Sequence, residues 1–247
     1  MPRLGRKWPL HVVLLDLWGT ILYPVISLED YYKYRAEAIR KVLGEEGYVF
    51  SLDEVLKALK LARKVADAIR RENVLELTFR GEAVLLLREL GLDYDDSSLV
   101  ERVATAYLEP YLKFLAPPPD LKSFLLKLGE RGVKIGVVSN AGSYNALICV
   151  LRKSGLARFF DVIVSSDRIG YRKPSPVIFL TALSLLGARP VNAVFVGDED
   201  IDIQGALSTG LWTAVYEGFH SYQGTEPHIR VKSYTELWEK LSSIFQL

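Results

Sequence analysis

A chain of 247 residues, 49% of them apolar, excludes a disordered composition and is long enough for one large domain, or for a domain with an inserted partner. Its formal net charge of +1 supplies no global field that would recruit nucleic acid or an anionic membrane. Its single cysteine, Cys149, excludes an internal disulfide and a cysteine-based zinc site.

The N-terminal stretch MPRLGRKWPLHVVLLDLW has basic residues followed by an apolar run. That run is short, carries Asp16 and lacks a small-residue cleavage site, so it reads as the start of a cytoplasmic protein rather than a secretory signal. No apolar stretch is long enough to span a bilayer. Scarce Asn, Gln, Met and Cys beside abundant Lys, Arg and Glu fit a hyperthermophile.

The first element is a strand at Val12–Leu15, an unbroken aliphatic run of the kind buried on both faces of a sheet. It delivers a lone carboxylate, Asp16, followed by Gly19, Thr20 and Pro24. Open parallel α/β sheets keep their ligand crevice at such strand ends. A buried carboxylate there needs a cation, a donor cluster or a task.

From Ser27 to about Leu115 the pattern is helical. Ser27 with Asp30, Ser51 with Glu54 and Ser98 with Glu101 each resemble a capping box. Val55, Leu59, Ala62, Ala66 and Ile69 recur at helical spacing, with a basic solvated face between them. A third helix is predicted near Glu82–Leu90, stopping at Gly91, and a fourth from about Leu99 to Leu115, which together suggest a small bundle. Ala116-Pro117-Pro118-Pro119 then reads as a linker or hinge.

Beyond the linker, strands and helices alternate. Helices are predicted from Asp120 through Leu128, at Tyr144–Lys153, Ser175–Leu186 and Ile203–Ser208. Strands are predicted at Val133–Val138, Val162–Ser165, Ala193–Val196 and Thr213–Tyr216, the last closing the series. Alternation of this kind predicts an α/β fold with a parallel sheet and helices on both faces. The helical block is then an insertion after the first strand. The expected division is a core of residues 1–24 and 116–247 and a helical cap of residues 25–115, hinged at the linkers and closing as a lid. Cys149, in the apolar run Ala146–Leu151, is expected to be a small core residue.

Four short signals fall at or beside the C-terminal ends of predicted strands: Asp16-Leu17-Trp18-Gly19-Thr20, Ser139-Asn140, Arg172-Lys173-Pro174 and Gly197-Asp198-Glu199-Asp200-Ile201-Asp202. Each alone has an ordinary reading. Ser139-Asn140 can cap a helix, Lys173 can sit in a surface loop, and the acids can favour a helix dipole. In this order they resemble the haloacid dehalogenase superfamily, and the segments GYRKPSPVIF and FVGDEDIDIQGALSTG resemble its motifs in wording as well. The resemblance extends to a Rossmann-like core with a helical cap inserted between the first two motifs.

The resemblance implies roles. Asp16 would be the nucleophile and carry a covalent aspartyl intermediate. Ser139 would hydrogen-bond the transferring group together with the backbone N–H of Asn140, and Thr20 would be a further substrate contact. Lys173 would neutralise charge on Asp16 and on that group. Mg²⁺ would be held by Asp16, the Trp18 carbonyl, Asp198 and Asp202, with Glu199 or Asp200 assisting. The physical logic is independent of the family: an anionic nucleophile attacking a phosphoryl group needs a divalent ion and a lysine to offset repulsion. Magnesium takes few carboxylates and keeps several waters, which suits this set of acids.

Trp18 departs from the phosphatase pattern, which carries a second aspartate there as general acid and base. An indole neither gives up nor takes a proton near neutral pH. The expected activity is a Mg²⁺-dependent phosphohydrolase acting on a small phosphorylated molecule. A 2-haloacid dehalogenase, using Asp16 without metal and a cap arginine such as Arg35 or Arg40, is the alternative enzyme. A non-catalytic regulatory module on the same fold is the alternative of another class. The sequence says nothing of oligomeric state.

Overall fold

The computed structural model describes residues 8–247. The chain divides into two compact units, one of residues up to 23, 117–140 and 154–247, the other of residues 24–116 and 141–153.

The first unit is built on a six-stranded sheet. Its strands are β1 (Val12–Leu15), β2 (Lys134–Ser139), β3 (Val162–Ser165), β4 (Ala193–Gly197), β5 (Trp212–Tyr216) and β6 (Ile229–Val231). They lie in the order β3-β2-β1-β4-β5-β6, every pair parallel. All four β1 side chains are fully buried, each such burial contributing about 1.5–3 kcal/mol. Val12 and Leu14 pack with Ile178, Phe179, Leu183 and Ala206 in one cluster. The alternating side chains of β1 thereby reach both faces of the sheet.

The helices of the second unit are α1 (Leu28–Glu45), α2 (Leu52–Asn73), α3 (Phe79–Glu89), α4 (Ser97–Ala106), α5 (Glu109–Phe114) and, later in the chain, α7 (Tyr144–Lys153). Those of the first are α6 (Leu121–Glu130), α8 (Pro176–Leu186), α9 (Asp200–Ser208) and α10 (Tyr234–Ile244). α8 and α9 pack against β2–β5, while α6 contacts β2 and α10, with the Phe124 and Tyr234 rings 5.1 Å apart.

Several elements differ from the expectations. The box at Ser51 and Glu54 closes reciprocally, but α4 is capped by Asp96, whose carboxylate accepts from the Ser98 and Leu99 N–H groups. The long fourth helix is broken, because Pro110 in the first turn of α5 has no N–H to continue α4. β6 and α10 extend the series beyond Tyr216; three residues of β6 are too few to show a period.

The segment 141–153, expected in the core, joins the helical unit. Gly142 accepts a hydrogen bond from Phe79 N (3.0 Å), and Ala146 enters the buried cluster formed by α1–α4. Cys149 is exposed rather than a core residue, because Ala146, Leu147, Val150 and Leu151 take the buried face of α7 and leave position 149 outside it. Among the described residues no helix is long and apolar enough to cross a membrane.

Candidate active site

Strand order creates the site. From β1 the chain runs outward to β2 and β3, then returns to the other side of β1 for β4, β5 and β6. The order reverses between β1 and β4, and an open α/β sheet has its crevice there. Leu15 pairs with Val137 on β2 and with Val196 on β4. Asp16, whose N–H donates to the Val196 carbonyl at 2.9 Å, therefore emerges level with the ends of both neighbours. Ser139 ends β2, Asp198 follows β4, and Asp202 sits in the first turn of α9.

Asp16, Ser139, Lys173, Asp198 and Asp202 are all buried. The Lys173 ammonium lies 2.5 Å from Asp16 Oδ1 and 2.6 Å from Asp202 Oδ1. Asp202 Oδ2 accepts from the Asp198 and Glu199 N–H groups at 3.2 and 3.1 Å, which locks it at the helix start. Oxygen atoms of Asp16, Asp198 and Asp202 all lie within 4.8 Å of one another.

Three carboxylates converge where one lysine pairs with two of them, and the electrostatics record the imbalance. Burial, opposed by Lys173 and reinforced by Asp202, pushes Asp16 up to about 7. Burial and the charges of Asp16 and Asp202, against a hydrogen bond from Thr20, push Asp198 up to about 9. Burial works against the charge on Lys173, but Asp16 and Asp202 outweigh it and hold the ammonium above its ordinary range. Converging buried carboxylates, of which Asp16 and Asp198 resist ionisation, fit a cation, and a metal ion placed among these oxygens would favour the charged form of both.

The loop after β1 is shaped for close approach. Gly19 has φ +82°, and a Cβ there would lie 2.0 Å from Asp198 Oδ2. Thr20, expected to contact substrate, is fully buried and donates from Oγ1 to Asp198 Oδ1 at 2.9 Å. Its hydroxyl proton is thus committed to a carboxylate of the cluster and helps to orient it. Its carbonyl accepts from Tyr234 of α10 at 3.0 Å.

Asn140 spends its side chain on the lysine loop rather than in the crevice. Its Oδ1 accepts from Lys173 N (2.8 Å) and its Nδ2 donates to the Lys173 carbonyl (3.3 Å). Trp18 is half-buried and bridges to Leu22 through backbone.

Asp200 does not join the acid cluster. Its Oδ1 accepts from Tyr222 Oη and Thr225 N at 3.0 and 2.8 Å, and its Oδ2 from Gln204. Glu199 caps α9. Arg40 is exposed and paired with Glu37. Arg35 is buried among the rings of Tyr31, Tyr32, Tyr107 and Tyr111, 5.2–5.6 Å from their centroids. Neither arginine presents a free guanidinium at a surface.

The sequence reading missed two residues. Tyr234 supports the Thr20 loop. His220 places Nε2 2.9 Å from Asp198 Oδ2. His220 lies in the loop after β5, so the strand-end rule that singled out the other residues would have reached it had it been extended one strand further.

The family profile of haloacid dehalogenase-like hydrolases matches residues 10–210. The glyceraldehyde 3-phosphate phosphatase of Methanopyrus kandleri is 33% identical over 220 residues, 88% of each chain. The phosphoglycolate phosphatase of Aquifex aeolicus is 31% identical over 210 residues, 83% of this chain and 84% of that one. Among solved structures, a 2-haloacid dehalogenase from Pseudomonas syringae aligns with TM-score 0.73 at 20% identity, covering 95% of this chain and 99% of the other. A phosphatase of the same superfamily from Thermococcus onnurineus aligns with TM-score 0.66 at 24% identity, covering 96% and 100%. At those identities the structures share the fold. The matched stretch carries Asp16, Ser139, Lys173, Asp198 and Asp202 in order, and the chain belongs to the haloacid dehalogenase-like hydrolases.

Proposed function

We propose that the chain is a Mg²⁺-dependent phosphohydrolase that acts on a small phosphorylated organic molecule through an aspartyl-phosphate on Asp16. The observation that carries this reading is the buried convergence of Asp16, Asp198 and Asp202, the first and last paired with a single lysine. Relatives aligned over most of their length and named as phosphatases support it. Mg²⁺ suits an all-oxygen donor set with room for water. Asp16, Asp198, Asp202 and the Trp18 carbonyl would hold it, and when bound it supplies positive charge against the phosphoryl oxygens.

The protein's own groups account for the rest. Asp16 Oδ forms the new bond to phosphorus as the ester oxygen departs. Lys173, already bonded to Asp16, keeps the carboxylate oriented and offsets the charge of the incoming group. Ser139, at the end of β2, donates to a phosphoryl oxygen. Water then cleaves the aspartyl-phosphate and regenerates Asp16. The helical unit serves as the cap and selects the remainder of the substrate.

Trp18 is the feature that a 2-haloacid dehalogenase would explain. That reaction gains nothing from three converging acids, and Arg40 is already paired with Glu37. The test is to assay an aryl phosphate with Mg²⁺ or EDTA, and a 2-haloacid for halide release. Phosphate release that requires the ion and is lost in Asp16→Asn supports the proposal. Halide release that persists in EDTA overturns it, and absence of turnover on both substrates favours the regulatory module.

A further inference from the structure

Asp198 is held at both oxygens by distant parts of the chain: Oδ1 accepts from Thr20 (2.9 Å) and Oδ2 faces His220 Nε2 (2.9 Å). A carboxylate oxygen has two acceptor positions. One contact at each oxygen fixes the plane of the group and leaves one position on each for a cation.

The loop that carries His220 is built to keep it there. Asp200 Oδ1 takes hydrogen bonds from Tyr222 Oη and Thr225 N, and Glu217 Oε1 accepts from Tyr222 N at 3.0 Å. Gly224 lies so close that a Cβ would come within 2.6 Å of Asp200 Oδ1. Phe219 stacks on Tyr23 at 5.8 Å and meets the His220 ring edge-on at 5.6 Å. His220 Nδ1 lies 3.1 Å from the Ser221 carbonyl oxygen, so both ring nitrogens have partners. The side chain is still 43% exposed, whereas Asp198 is 2% exposed. A half-exposed ring contributes little to the core, so its anchoring serves the buried carboxylate instead.

We propose that His220 is a positioning residue of the metal site, holding Asp198 in the orientation in which it takes the divalent ion. The proposal rests on the metal-dependent reading above. Groups that hydrogen-bond a ligand without touching the metal orient it, and their loss typically costs about 10–100-fold in metal affinity.

The test is titration of the whole protein with Mn²⁺, following free ion by electron paramagnetic resonance and heat by calorimetry, with no substrate present. His220→Ala is expected to bind about 10–100-fold more weakly than the parent, with an unchanged thermal midpoint in EDTA. His220→Gln, whose amide nitrogen has a similar reach, is expected to recover most of the affinity. Equal affinity in His220→Ala overturns the proposal, as does a weak His220→Gln in a folded protein. A parent that binds no Mn²⁺ overturns the metal reading itself, which sets that failure apart from the others.

Discussion

Lys173 and Asp16 form a buried ion pair, Nζ to Oδ1 at 2.5 Å, across 157 residues of sequence. The same nitrogen reaches Asp202, so one ammonium serves two carboxylates at 4% exposure. Replacing it with an apolar side chain leaves buried charge without a partner, a change that costs about 3–5 kcal/mol. Lys173→Met is expected near the lower end in EDTA, because Asp16 can take up a proton. Urea unfolding measures the loss. Added Mg²⁺ should return part of the stability while leaving phosphatase activity low.

A second prediction follows from the acid cluster. In the metal-free protein Asp16 and Asp198 hold their protons up to about 7 and about 9, whereas in the unfolded chain they ionise near 3.9. The unfolded state therefore binds fewer protons between these values, and stability falls as pH rises from about 4 toward 9. A divalent ion holds both groups as carboxylates and should flatten that slope. Urea midpoints at several pH values, in EDTA and in Mg²⁺, measure it; parallel curves would argue against an ion at this cluster.

Gly19 offers a sharper perturbation. Its φ of +82° costs a side-chain-bearing residue about 1–2 kcal/mol, and the new methyl would collide with Asp198. Gly19→Ala is expected to lower stability by at least that amount and to weaken metal binding together with activity. A variant with parental metal affinity would show that the loop yields.

The sequence marked Asp16, Ser139, Lys173, Asp198 and Asp202 because three of them stand at or just after strand ends, which aliphatic runs betray, and because the order of all five resembles the motifs of one family. It pointed to Thr20 and Asn140 but not to the Thr20 bond to Asp198 or the Asn140 side-chain bonds to the Lys173 backbone, since a hydroxyl or amide carries no sign of what it will bond. Tyr234 was illegible for another reason: its contact bridges 214 residues, a spacing that belongs to no local period. His220 was missed because the strand-end rule was not carried to the loop after β5. Cys149 was misjudged because an apolar run on a helix still has an outer face.

Trp18 supports a prediction about chemistry. Attack by Asp16 on an ester expels an alkoxide, and the indole has no proton to give it. Aryl and acyl phosphates should react much faster than alkyl phosphates. With a good leaving group, hydrolysis of the aspartyl-phosphate becomes limiting, and a burst of product should appear. Trp18→Asp should raise the steady-state rate by at most about 10²–10⁴-fold. The gain is reduced by whatever packing the half-buried indole provides. An unchanged rate in a folded variant, with no burst in the parent, would mean that another group handles the proton.

The bond from Tyr234 to the Thr20 carbonyl sets a timetable for biosynthesis. The Thr20 loop is synthesised before its brace, which lies 214 residues later in the chain. Lys173 and Asp198 also arrive long after Asp16. The helical unit is likewise complete only when residues 141–153 have been made and α7 can join it. The nascent chain thus carries Asp16 through 157 further residues before its lysine is made, and longer before its fellow acids are. The cluster around Asp16 can close only after residue 202 has been made, and the Thr20 loop gains its brace only after residue 234.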